Sequence, residues 1–164
     1  MKHAFSLAGM FVVAVVFYLA FVLVLEGQWL LPQRVIPVAG VRLDQWLESF
    51  KMWAGMGIAA AFLASFLWYV VAQIVYRVNN LSDAATRVVW FLFMLIPALM
   101  ATAGSIFTRQ AQAGMTWAYV FYFLNSLLCY YVATVFFSPS SHKYTPLLAS
   151  ALRPSNWIPY SANK

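Results

Sequence analysis

The sequence predicts an all-α integral membrane protein with four transmembrane helices. An interfacial amphipathic helix is expected between the first two, and a short amphipathic helix near the C-terminus. Three observations carry this reading. Of 164 residues 64% are hydrophobic and only 9% charged, more apolar surface than one water-soluble core of this size can hide. Four uncharged stretches each reach the roughly 20 residues that a helix needs to cross a hydrocarbon layer about 30 Å thick. All ten Lys and Arg and all four Asp and Glu fall outside those stretches.

The first span covers about residues 4–25. Lys2 precedes it as in a secretory signal, but the run is too long for one. No small-x-small cleavage site stands before Glu26, so the span is expected to stay attached. Residues 26–52 form the longest connection. From Trp29 to Val41, short apolar runs alternate with Pro32, Pro37 and Gly40, which prevents a long helix and predicts an extended or turning strap. Leu43, Trp46, Leu47 and Phe50 then fall at i, i+3, i+4 and i+7, with Arg42, Asp44, Gln45, Glu48 and Ser49 on the other side. That spacing predicts an amphipathic helix on the membrane surface, which either steers the chain into the second span or docks a neighbouring subunit.

The second span, about 53–76, carries Gly57, Ala61 and Ser65 four apart, with Ala60 and Ala64 beside them. In the third, about 88–107, Ala98, Ala101, Thr102 and Ser105 make another small face. Helix association in lipid gains nothing from the hydrophobic effect, so close backbone approach through small faces is a main source of packing energy. These helices are expected to meet each other or copies of themselves. Pro97 should bend the third span and free a carbonyl for a neighbouring hydroxyl. Between them, Asn80 or Ser82 can cap the next helix, and Arg77 and Arg87 mark the span ends, where they suit anionic headgroups or a partner carboxylate.

The fourth span, about 116–137, is aromatic on several faces. Tyr122, Asn125 and Cys129 recur at i, i+3 and i+7, so they share a side, where a quinone or lipid could stack or where neighbouring helices pack. An amide at mid-depth must find a partner, and an interhelical hydrogen bond is worth about 0.6–2 kcal/mol. Residues 1–137 thus make the membrane domain and 138–164 a tail. In the tail, Thr145 and Pro146 look like a cap and first helical position, Leu147, Leu148, Ala151 and Leu152 an apolar stripe, and Pro154 a stop. A helix is expected over about 146–153. Beyond it, Trp157, Ile158 and Tyr160 need a surface, either headgroups or a neighbouring chain.

Several chemistries lack the residues they need. Cys129 is the sole thiol and His3 and His142 the sole imidazoles, so no intrachain disulfide can form and a protein-held metal is short of ligands. Those two histidines are the only imidazole ligands for haem. No G-x-S-x-G elbow occurs, and a thiol in an apolar helix is inert. No basic run suits nucleic acid. No ionisable side chain sits inside a span to carry protons or ions. No internal repeat suggests an inverted-repeat transporter.

No cofactor is expected, and the expected partners are the lipid bilayer and other membrane subunits or copies of the chain. Lys2, Arg77, Arg87, Lys143, Arg153 and Lys164 lie on one side against Arg34, Arg42, Lys51 and Arg109 on the other, a bias that predicts both termini in the cytoplasm. The expected role is a non-catalytic subunit of a larger inner-membrane assembly, such as an envelope-spanning secretion or conjugation machine. One alternative is an oligomeric transporter or channel, in which Thr102, Ser105 and Asn125 would line one continuous path. Another is a membrane-sensing or membrane-perturbing tetraspan of a defence or toxin type.

Overall fold

The computed structural model describes residues 2–27, 43–78, 83–108, 116–139 and 145–152. Five helices occupy them: α1 (Lys2–Glu26), α2 (Leu43–Val78), α3 (Asp83–Thr108), α4 (Thr116–Phe137) and α5 (Ala149–Leu152). Among the described residues there is no strand. The first four helices are long and apolar enough to cross a membrane. The strap expected before residue 43, the capping candidates Asn80 and Ser82, the side chain of Leu43, and Trp157 and Tyr160 lie outside the described residues.

One inward stripe positions each helix. On α1, Ser6, Met10, Ala14, Phe21 and Leu25 are buried, at intervals of four and seven that keep them on one side. Phe11, Val12, Val16, Leu19 and Leu23 face outward, which leaves α1 apolar on its outer side as well as its inner one. On α3 the buried side runs through Thr86, Trp90, Pro97, Ala101, Gly104 and Thr108, and the helix continues through Pro97. α4 is the most enclosed near its C-terminal half, where Cys129, Tyr130, Ala133, Thr134 and Val135 are buried.

In α2 the structure departs from the expectation. The separate interfacial helix expected around residues 43–50 is instead the first part of one 36-residue helix. Buried residues continue in phase through Trp46, Phe50, Ala54, Gly57, Ala61, Ala64, Trp68 and Ala72, and no helix breaker separates Phe50 from Ala54. At 1.5 Å per residue α2 is about 54 Å long, well beyond the hydrocarbon thickness. Its first turns pack onto the end of the bundle through Trp46 and Phe50.

α2 and α4 meet across the bundle, while α1 and α3 take opposite corners, each against both. Met10, Tyr69 and Ala133 cluster toward one end. Phe21, Leu25, Trp46, Phe50, Ala118 and Tyr122 cluster toward the other. The start of α1 therefore lies beside the ends of α2 and α4. Near the second end, Lys51 Nζ and Glu26 Oε1 pair at 2.5 Å with both side chains partly exposed, a contact worth about 0–1 kcal/mol.

The C-terminal helix is shorter than the sequence spacing suggests. Leu148 has φ of 59°, a left-handed backbone that interrupts helix formation after Pro146, so α5 begins only at Ala149. Ala149 is buried, whereas Leu147, Leu148 and Leu152 stay exposed. Tyr131 on α4 donates a hydrogen bond to the Leu147 carbonyl and fixes this turn against the bundle.

Candidate functional site

Among the described residues, Tyr122 of α4 sits in a notch between α2 and α3, with Asn125 and Ser126 one turn along. A methyl group added at Gly57 would lie 2.7 Å from Tyr122 Cε2 and 2.8 Å from Ser126 Oγ. One added at Gly104 would lie 2.9 Å from the Tyr122 hydroxyl and 3.1 Å from Trp53 Cβ. The Tyr122 ring thus occupies a slot cut by one glycine on α2 and another on α3. Its hydroxyl donates to the Trp53 carbonyl at 2.7 Å, a bond that a phenol buried in apolar surroundings needs. One turn along α4, Asn125 Nδ2 donates to the Phe17 carbonyl at 3.3 Å and links α4 to α1. Ser126 Oγ is buried with no hydrogen-bond partner among the described residues. The notch has no room for a ligand beside Gly57. Its chemistry is helix cohesion.

The helices that carry the predicted small faces do meet, α2 and α3 sharing the most extensive packing of any pair, but not every small residue faces that seam. Gly57 faces Tyr122 and Ser126 of α4. Ala61 is fully buried in the cluster with Ile58, Ala64, Cys129 and Tyr130. Ser65 Oγ returns to its own helix at the Ala61 carbonyl, 2.8 Å away. On α3, Ala101 is buried with Tyr122, whereas Ala98 lines an outer cleft. Thr102 is exposed and donates to the Ala98 carbonyl at 2.8 Å, and Ser105 does the same to the Ala101 carbonyl at 2.8 Å. Thr102 faces outward and Asn125 inward toward α1, so within one chain these groups do not line a common path.

Indole and hydroxyl groups near the two ends supply contacts that sequence reasoning missed. Trp90 Nε1 donates to Thr134 Oγ1 at 3.0 Å, and Tyr130 donates to the Trp90 carbonyl at 2.8 Å. Trp68 Nε1 donates to Ser138 Oγ at 3.0 Å. Toward the other end, Trp46 Nε1 and the Tyr119 hydroxyl both reach the Thr108 carbonyl, at 3.0 and 2.9 Å. Trp46 and Phe50, candidates for partner docking by their spacing, are buried within their own chain at 3% and 0% exposure, with Leu47 packed beside them. A buried indole N–H signals that an acceptor must exist, but periodicity cannot name one 44 or 70 residues away.

An apolar cleft of about 420 Å³ opens between α3 and α4, lined by Val88, Phe91, Leu92, Leu95, Phe123 and Leu127, with Met94 and Ala98 completing it. Cys129 lies in the buried core. Among the described residues no three His, Cys, Asp or Glu side chains gather to hold a metal. Comparison of the chain with protein-family models, with curated proteins and with solved structures found no match.

Proposed function

We propose that this chain is a non-catalytic subunit of a bacterial inner membrane, with both termini in the cytoplasm, that assembles with other membrane proteins into a larger complex such as a secretion or conjugation machine. One observation carries the reading. Every buried polar or charged residue described inside the chain, from Ser6 and Ser65 to Asn125 and Thr145, is a neutral Ser, Thr or Asn. Proton and ion carriers hold acidic or basic groups at depth because the pathway needs them. Here buried polar side chains such as Asn125, Thr134 and Ser138 take part in hydrogen bonds between helices or to the residue that follows one. The broad apolar outer faces of α1 and α3 remain for lipid or neighbouring helices.

The test is purification of the tagged chain from native membranes in mild detergent. The expected result is co-purification with different integral membrane proteins in fixed ratio. A homogeneous homo-oligomer that conducts ions in liposomes would overturn the proposal. Orientation rests on the Lys and Arg bias and is checked separately. Ser141→Cys is expected to react with a membrane-impermeant maleimide only after the cells are opened, and labelling of intact cells would reverse the topology.

A further inference from the structure

We propose that the cleft between α3 and α4 seats one acyl chain of an anionic phospholipid whose phosphate meets Arg87. The cleft runs from Val88 to Ala98 along α3. Those ten residues of rise cover about 15 Å, roughly half of a 30 Å hydrocarbon layer. The apolar slot is therefore one leaflet deep, running from the span end toward the midplane. Arg87 stands at its outer end. Arg87, Phe91, Met94 and Ala98 follow one another at i, i+4, i+7 and i+11, so Arg87 falls on the side of α3 that lines the slot, next in sequence to its first lining residue Val88.

Arg87 is exposed, and its planar donors match a phosphate better than a point charge does. The 77–87 segment carries Arg77 and Arg87 against Asp83 alone, a positive balance that attracts anionic headgroups. The walls select a chain over a helix. A second helix approaches closely through small residues. Apart from Ala98 at the deep end, this slot is lined by bulky side chains such as Phe91, Leu92, Leu95 and Phe123.

The inference rests on the proposed insertion of the helices in a bilayer, and alkaline carbonate extraction of membranes tests that part alone. A chain released by carbonate would defeat both readings. For a retained chain, native mass spectrometry of the purified protein with phosphatidylglycerol and phosphatidylethanolamine of equal chain length tests the site. One retained phosphatidylglycerol is expected. Arg87→Gln should reduce its preference over phosphatidylethanolamine about fivefold, the weight of one basic group at an anionic surface. Ala98→Phe, which fills the deep end, should reduce retention of both lipids, and Lys51→Gln near the other end of the bundle should change neither. An unchanged preference in Arg87→Gln, or a protein chain found on this face in place of lipid, would overturn the proposal.

Discussion

Gly57→Leu is expected to abolish the folded bundle, and Gly57→Ala alone to lower its stability by about 1–3 kcal/mol, the usual cost of overpacking. The reason is local and severe. The new Cβ would stand 2.7 Å from a Tyr122 ring atom and 2.8 Å from Ser126 Oγ. Ser126 can turn its hydroxyl aside, but Tyr122 cannot move its ring. That ring is fully buried, stopped on its other side by Gly104 and Trp53, and its hydroxyl is bound to the Trp53 carbonyl. Relief would have to come from separating α2 and α4, which breaks that hydrogen bond. Gly55 supplies the control. Its added methyl would find only Tyr18 Cε2 at 3.5 Å, ordinary contact, so Gly55→Ala should be neutral or slightly stabilising through better helix propensity. Thermal unfolding and gel filtration in detergent decide the matter. Equal tolerance of Gly55→Ala and Gly57→Ala would remove the notch from any account of how these helices hold together.

The contrast also separates what the sequence made legible from what it concealed. The spans were readable because a water-soluble fold rarely keeps a window of bilayer length free of every charge. Gly57, Ala61 and Ser65 were readable as one side of a helix because a four-residue spacing fixes a face. α2 and α3 do meet, but which neighbour each position of the face touches is a property of the assembled bundle, and Gly57 itself serves a tyrosine on α4. Residues 43–50 read as a separate surface helix because their amphipathic pattern is complete within two turns. The overlooked signal is phase: Trp46 and Phe50 lead directly into Ala54, Gly57 and Ala61 on the same side. At the C-terminus no pattern of leucines could announce a left-handed Leu148, since Gly or Asn is the residue that ordinarily marks such a backbone.

Trp90→Ala should cost about 3–5 kcal/mol, the range for removing a large aromatic side chain from a packed core. Trp90 is 1% exposed and lies 5.7 Å from the Tyr130 ring and 6.1 Å from the Tyr131 ring, so little can collapse into the space it leaves. The hydrogen bond can be weighed apart from this packing. Thr134→Val keeps the volume but deletes the acceptor of the indole N–H, and leaving that buried donor unpaired should cost about 1–3 kcal/mol. Trp90→Phe removes the donor and keeps most of the aromatic contact. In that variant Thr134 is not stranded, because its hydroxyl already donates to the Tyr130 carbonyl at 3.0 Å. Adding Thr134→Val to Trp90→Phe should therefore cost much less than Thr134→Val does alone, a coupling readable from the four unfolding midpoints. If the two changes simply add, the indole N–H finds a comparable partner elsewhere. The bond to Thr134 would then accompany the packing of α3 on α4 without helping to determine it.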